Sequence, residues 1–332
     1  MNRYLIVGFA PIFFTILLCA PKTKISNNNP VKNNPAITNT SDTIQAIDSS
    51  CAPLPPVPVS DWKGLNFLVL EKQSIFCQTG YELYSFSNPE LGLTPADLSA
   101  LKPENRIPCD EIKGHMLTVT GVYENGEEYL VSFSDVATGK TITGKTHKHS
   151  IKEIVPETDL NWAKKRWINR VVFSRKGTIS TLPKENHSFG SIKVKIQDSL
   201  LVQDVIAGFT PLPVNPIWLV VKTPQGQLGI IAIRSSWTNT MSDIIREDDP
   251  WKSDIMESDP RKVYSWDESM WEIINNHRIV LEMSRDQVLL SWGEPVRREV
   301  TDNEGVKQEC WFYAAQVLCF NEHQLISINN VQ

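Results

Sequence analysis

Apolar residues occur in short stretches between residues 61 and 242, and glycine-containing or polar turns separate these stretches. Stretches that are rich in Val, Ile, Thr and aromatic side chains and end at turns such as Asn125-Gly126 predict β-strands. The predicted strands are residues 65–70, 81–84, 116–123, 129–133, 167–173, 191–196, 217–222 and 229–233. With one brief helix at 94–101, the pattern predicts two small β-barrel-like domains, over residues 61–157 and 158–242.

Helical spacing is clearest near the end of the chain, in residues 263–332. Residues 267–276 begin with acidic side chains and place Met270, Trp271 and Ile274 on one face, which predicts an amphipathic helix. We expect this apolar face to pack on the strands that follow it.

A second helix is predicted over Arg285–Trp292. Ser284 is placed to cap its start, Gln287 completes a reciprocal capping box, and Gly293 with Pro295 ends the helix. Antiparallel strands follow at residues 296–301, 306–313, 316–322 and 325–328. The whole chain is therefore predicted to be mainly β, with a C-terminal α+β module of two helices and three or four antiparallel strands.

One predicted hairpin in this module places two cysteines opposite each other. If the two alanines at its tip form a two-residue turn, Trp311 faces Leu318 and Cys310 faces Cys319. The cysteine pair then occupies a non-hydrogen-bonded site, where the strands are closest and a disulfide fits. Two small apolar side chains on a sheet face are the alternative. In this register four residues share one face as a seat for the helices: Trp311, Tyr313, Leu318 and Phe320.

Charge and the first twenty residues narrow the function and the compartment. The 332-residue chain has a net charge of -5 and only short basic clusters, which argues against nucleic-acid binding. Arg3, followed by an uncharged apolar run up to Ala20, predicts a signal peptide over residues 1–20. Cys19 follows Leu18 in a sequence that resembles a bacterial lipobox, so we expect lipidation at Cys19. Ordinary secretion and an uncleaved anchor remain alternatives.

Two polar segments predict connections between folded parts. Residues 21–60 are dense in Asn, Ser, Thr and Pro, which predicts a disordered tether that holds the domains off a membrane. Residues 243–262 are acidic and predict a solvated linker, since they lack the oxygen spacing of a calcium loop. In an oxidising compartment bridges are expected before metal sites, and Cys77 with Cys109 is the second candidate pair.

Two hairpins of the β-rich region are similar to each other. Residues 129–144 run from an aromatic-led strand through a glycine turn to a returning strand, and residues 218–231 repeat this order. The pattern resembles the hairpins of bacterial Src-homology-three-like domains. Small barrels of this class hold peptide in aromatic-lined grooves, so the resemblance implies Trp218 and Trp237 as a binding surface. Burial of both rings, or chance similarity between the hairpins, is the alternative.

The C-terminal residues resemble a second family. The matching pattern is Met283-Ser284-x-x-Gln287-Val288-x-x-x-Trp292-Gly293-x-Pro295, followed by Trp311-x-Tyr313 and Phe320. It resembles the SmpA/OmlA-type domain of BamE, a small lipoprotein of outer-membrane β-barrel assembly, and the arrangement of β-lactamase-inhibitor-like proteins. The resemblance implies a protein-binding, envelope-tethered module without enzymatic activity. The large β region before it and the cysteines of its hairpin depart from the family pattern.

Nothing in the sequence predicts catalysis, a metal or a cofactor. The chain has no phosphate-binding glycine loop, no His-Glu-x-x-His and no Gly-x-Ser-x-Gly motif. His147 and His149 lack a third ligand, and no cysteine is placed like the nucleophile of a Cys/His peptidase. We therefore expect a non-enzymatic, exported protein of the bacterial envelope, anchored by a lipid, facing the periplasm and binding an envelope protein or peptidoglycan. A hydrolase accessory, an atypical hydrolase and a passive spacer remain alternatives.

Overall fold

A computed structural model of the chain describes residues 57–85, 101–146, 151, 153–184, 188–210, 216–234, 250–303 and 306–330. The predicted signal peptide, Cys19, Trp237 and nearly all of the helix predicted at 94–101 lie outside these residues. Within the described part of the predicted tether, Val59 is buried in the first core. No helix among the described residues is long and apolar enough to cross a membrane.

The described residues form twenty strands and six α-helices. The strands are β1 (Asn66–Val69), β2 (Glu71–Lys72), β3 (Tyr81–Ser85), β4 (Arg106–Ile107), β5 (Met116–Asn125), β6 (Glu128–Asp135), β7 (Thr141–Thr146), β8 (Ile154–Pro156), β9 (Val171–Ser174), β10 (Thr178–Thr181), β11 (Ser191–Lys193), β12 (Leu200–Ala207), β13 (Phe209–Thr210), β14 (Ile217–Lys222), β15 (Leu228–Ile233), β16 (Ile255–Met256), β17 (Arg297–Asn303), β18 (Val306–Phe312), β19 (Gln316–Phe320) and β20 (Leu325–Asn330). The helices are α1 (Ser74–Cys77), α2 (Cys109–Ile112), α3 (Glu157–Trp167), α4 (Pro260–Val263), α5 (Glu268–Asn275) and α6 (Arg285–Trp292).

The first two sheets have the same topology. The first has the strand order β4-β3-β7-β6-β5-β1-β8, and the second has the order β11-β10-β15-β14-β12-β9-β16. Each strand of one sheet has a counterpart at the same place in the other, and all neighbouring strands are antiparallel. We call these sheets the first and second repeats. In addition, β2 from the segment of the first repeat pairs in parallel with β13 from the segment of the second repeat.

Local irregularities are repeated as well as strand order. Thr120 is an extra residue in β5 opposite β6, and Gln203 is an extra residue at the equivalent point of β12 opposite β14. Such bulges bend a strand and increase its twist. Each following hairpin turn starts at a buried polar residue, Asp135 or Thr223. A side-chain oxygen of each accepts a backbone N–H of its own turn, at 3.0 and 3.1 Å. The repeats therefore share bulge, turn and topology.

Helix α3 joins the two repeats. Its first turn is acidic and its last turn is basic, which favours a helix at both ends. Leu160, Ala163 and Trp167 fall on its buried face at spacings of three and four. The prediction of a strand over residues 167–173 is wrong in its first half, because the helix continues to Trp167 and β9 begins at Val171. The helix packs against β1 and β8 of the first repeat and β12 and β14 of the second.

A buried arginine at the end of α3 is enclosed by three tryptophans. The Arg166 side chain is 2% exposed, and its guanidinium carbon lies 5.0–5.8 Å from the ring centroids of Trp162, Trp167 and Trp251. One Arg166 nitrogen lies 2.8 and 2.9 Å from the two carboxylate oxygens of Glu257. Trp251 Nε1 donates to the same carboxylate, at 2.8 Å. The charge is thereby paired and its surroundings are aromatic.

Because of this pairing, the prediction of a solvated linker over residues 243–262 has to be revised. Its described residues, 250–262, are part of the fold: Trp251 is buried and β16 pairs with β9 as the last strand of the second repeat. Glu257 has a structural role, because its carboxylate accepts hydrogen bonds from the buried guanidinium of Arg166. Local composition cannot reveal that role.

The C-terminal module matches its prediction closely, and the prediction of a mainly β chain with a C-terminal α+β module is confirmed. Helix α6 has the predicted capping box between Ser284 and Gln287, and the Asp267 side chain caps α5. Strand β18 pairs with β19 in the predicted register. Trp311, Leu318 and Phe320 are buried together with residues of both helices in one core, and Tyr313 packs against it.

The C-terminal core also takes in a residue of the second repeat. Ile196 is fully buried in it, and its backbone N–H donates to Asn275 Oδ1 at 3.0 Å. Asn275 Nδ2 donates to Gln197 Oε1 at 2.9 Å. The two repeats and the module therefore belong to one compact unit, Pro53–Gln332.

Both predicted cysteine pairs have disulfide geometry. The Cα atoms of Cys310 and Cys319 are 4.0 Å apart, as at a non-hydrogen-bonded site of an antiparallel pair. Those of Cys77 and Cys109 are 5.4 Å apart. Cys51 lies outside the described residues.

Replacing Glu257 with Ala removes a carboxylate that the buried Arg166 contacts. We expect Glu257→Ala to lower the free energy of unfolding by about 2–4 kcal/mol, less than for a fully enclosed pair because the Glu257 side chain is 31% exposed. Urea denaturation followed by tryptophan fluorescence measures the change. The control is Glu268→Ala, which breaks an exposed pair with Arg261 and should cost less than about 1 kcal/mol. Equal losses in the two variants would contradict the role given to Arg166.

The two disulfides should contribute unequally to stability, because they close loops of different length. Their sequence separations are 32 for Cys77–Cys109 and 9 for Cys310–Cys319. Chain entropy predicts losses of about 4 and about 3 kcal/mol when each pair is replaced by alanines. Urea denaturation compares the variants, and mass mapping of non-reduced peptides checks the pairing. Free thiol at any of the four positions in the oxidised protein would refute it.

Candidate protein-binding surface

Trp218 does not form a surface groove. Its side chain is 2% exposed, and its ring packs at 5.1 Å from Phe209 and 5.5 Å from Phe189, measured between centroids. The indole lies so close to Gly208 that a Cβ there has no room. The predicted binding role of Trp218 is therefore replaced by a role in packing, since β14 is an interior strand of its sheet. Trp237, its proposed partner, is not among the described residues.

The most exposed strand is β17, at the edge of the C-terminal sheet. The described strands leave one side of β17 unpaired, and every side chain from Val296 to Asp302 is exposed. Val296 is 84% exposed and Val300 is 68% exposed. An edge strand offers unpaired backbone groups to another chain, and natural proteins commonly shield such edges. Sequence patterning predicts the strand, but only the sheet order identifies it as the open edge.

Two arginines of β17 stack on aromatic rings of the neighbouring strand β18. The guanidinium carbon of Arg298 lies 4.7 Å from the Trp311 ring centroid, on the helix side of the sheet. That of Arg297 lies 4.0 Å from the Phe312 centroid, on the opposite side. Arginine and aromatic side chains are the residues most enriched where protein interfaces are strongest. Alternation along β17 and β18 thus places one such pair on each face of the sheet.

A shallow cleft of about 250 Å³ lies beside β17, lined by Arg285, Val300, Gln308, Glu309 and Glu322. Arg285 Nε donates to Glu309 Oε2 at 2.8 Å, and Trp311 Nε1 donates to Glu309 Oε1 at 2.7 Å. Burial raises the pKa of Glu309, but the hydrogen bonds from Trp311 and Arg285 outweigh it and hold the pKa below its ordinary value of 4.5. The floor of the cleft is therefore a fixed, ionised network.

Arg285 is held from two further directions. Its Nη1 and Nη2 atoms donate to the backbone carbonyls of Glu322 and Asn321, at 2.7 and 3.0 Å. The guanidinium also lies 5.4 Å from the centroid of Phe320. A side chain with these contacts loses little conformational freedom when a partner covers it, which favours binding.

Other polar clusters of the described residues serve the fold. His115 Nδ1 lies 3.0 Å from the buried Asp135, which also accepts from Thr138 Oγ1. Burial raises the pKa of Asp135, but these hydrogen bonds lower it by more, and the carboxylate fixes its hairpin turn. Lys72 and Glu153 form a buried ion pair. No group of three or more His, Cys, Asp or Glu in the described part is placed to hold a metal ion. His147 and His149 lie outside it.

Comparison with known proteins does not assign the chain to a family. No family model matches it, no curated protein matches it, and no solved structure matches it. The resemblances to SmpA/OmlA-type and Src-homology-three-like domains therefore stay predictions. The function must be argued from the surface of the molecule.

The Glu309 network makes the stability of the module depend on pH. Because the pKa of Glu309 is lowered by folding, its contribution is complete above the unfolded value of about 4.5 and is lost as pH falls through the folded pKa. We expect Glu309→Gln to be less stable than the unmodified protein at neutral pH, with a difference that shrinks below pH 4.5. Urea denaturation across this range measures it. Glu322→Gln, with an exposed carboxylate, should match the unmodified protein throughout. A difference independent of pH would contradict the assignment.

Proposed function

We propose that this protein is a non-enzymatic, exported component of the bacterial envelope whose C-terminal module binds another protein. The observation that carries the proposal is β17, an edge strand of seven residues whose described side chains are all exposed. The edge supports binding by strand addition, in which an extended segment of a partner continues the sheet through backbone hydrogen bonds.

The side chains around the edge support this mode of binding. Val300 on the strand and Val296 just before it offer apolar contact among polar residues, and Arg297 and Arg298 are already held against aromatic rings. Ordered arginines lose less conformational entropy when a partner binds. An edge of this kind recognises polypeptide backbone, which favours an envelope protein over peptidoglycan as the partner.

The amino-terminal sequence supports the proposed location. The apolar run up to Ala20 is typical of a signal sequence, and a lipid at Cys19 would anchor the protein to a membrane. The Asn- and Pro-rich residues 21–56 would then act as the tether that carries the folded unit into the periplasm. Labelling with palmitate and a Cys19→Ala control tests the anchor separately from the binding surface.

In-cell photocrosslinking tests the binding surface. A benzophenone amino acid at Val300 should give a discrete crosslinked product with a protein, because the side chain points out beside the open edge. The matched control is the same amino acid at Val136, which is 64% exposed in a hairpin turn of the first repeat and should give none. Mass spectrometry identifies the product. Absence of a product at Val300 would favour the passive-spacer alternative and contradict the proposal.

A further inference from the structure

Two opposite charges of β17 lie at equal distances from its middle residue, Val300. Arg298 precedes Val300 by two positions, and Asp302 follows Val300 by two positions. In an antiparallel pair, residues equally distant from the two-fold axis face each other and point to the same side. A second β17 centred on Val300 would therefore place Arg298 opposite Asp302 of the second copy, and Asp302 opposite Arg298 of the second copy.

The other pairs in this register are also compatible. Glu299 faces Thr301, and Val300 faces itself at the axis, where its exposed side chain finds apolar contact. No like charges are opposed. An axis at Glu299 would instead oppose two glutamates, and an axis at Arg298 would oppose two arginines, which destabilises a pair. The sequence thus favours the Val300-centred register over both of these.

We propose that β17 pairs antiparallel with β17 of a second copy of this chain, through a two-fold axis at Val300. The proposal rests on the proposed function, because it names the partner of the same edge. The four-stranded sheets of the two copies become one eight-stranded sheet, with the helices of both copies on the same side. An isologous contact of this kind closes as a dimer and leaves no open β17 edge.

The interactions that Arg298 already makes do not prevent this pairing. Its ion pair is with Glu294, whose side chain is 69% exposed, and pairs of this kind contribute little because water screens them. Loss of the pair with Glu294, when Arg298 pairs with Asp302 of the second copy, therefore costs little. The Arg298 side chain is itself 44% exposed, so its charge is accessible from the edge.

Charge reversal on the purified exported chain tests the register. Arg298→Asp opposes two pairs of acidic residues in a dimer, and Asp302→Arg opposes two pairs of basic residues. We expect each variant alone to dimerise about tenfold more weakly than the unmodified protein in sedimentation velocity. An equimolar mixture of the two variants should recover the dimer, because each Asp of one chain then faces an Arg of the other. The control is Arg261→Asp, which makes the same change of charge on α4 and should leave dimerisation unchanged.

A cysteine at the axis provides a second measurement that does not depend on charge. Val300→Cys should give a disulfide-linked dimer on mild oxidation, since the two residues face each other directly. The matched control, Val136→Cys, should not crosslink efficiently. Circular dichroism checks that every variant is folded.

The outcomes separate this inference from the proposed function. An unmodified protein that stays monomeric, or a mixture of variants that does not recover the dimer, overturns self-pairing. If Val300 still crosslinks to a different protein in cells, the binding surface stands with another occupant. If Val300 captures no protein in cells and the purified chain is monomeric, both proposals fail. A dimer restored by mixing, together with a disulfide-linked dimer of the Val300→Cys variant, supports both.

Discussion

A buried positive charge is the constraint on which much of this fold depends. Arg166 lies among three indole rings at the end of α3, and its ion pair with Glu257 offsets part of the cost of removing a guanidinium from water. That carboxylate is 91 positions further along the chain. The pair therefore fixes the route by which the polypeptide leaves the second repeat, and β16 takes its place beside β9 within the same segment.

The two repeats have the same sheet topology although many equivalent residues differ. Equivalent positions keep their burial while their identities change: Leu130 and Trp218 are buried in the same interior strand position, and Asp135 and Thr223 start the same turn. Alternation determines which side chains face the core, and a small polar side chain able to cap the turn is sufficient at its start. The bulge at Thr120 has a counterpart at Gln203, and a buried valine, Val119 or Val202, precedes the bulge in each strand.

Features that depend on neighbouring residues could be predicted, and those that depend on distant partners could not. The capping box at Ser284, the hairpin register of Cys310 and the limits of β14 follow from local patterns that the structure confirms. The burial of Trp218 depends on packing against Phe189 and Phe209, and the structural role of Glu257 depends on Arg166, which is 91 positions away. The open edge at β17 is of the same kind, because sheet order decides which strands have a neighbour on one side only. The local pattern of charges then determines which strand is suited to pair with that edge.

The late position of β16 in the sequence has a consequence for biogenesis. The first repeat can close as soon as β8 is made, immediately before α3, whereas the second lacks its outermost strand until residue 256 has emerged. A chain synthesised from its amino terminus must therefore hold an incomplete second sheet, with Arg166 not yet paired with Glu257, while a further stretch is added. The late synthesis of β16 therefore implies vectorial assembly of the two repeats. During the interval, the tryptophans around Arg166 are exposed and accessible to a chaperone.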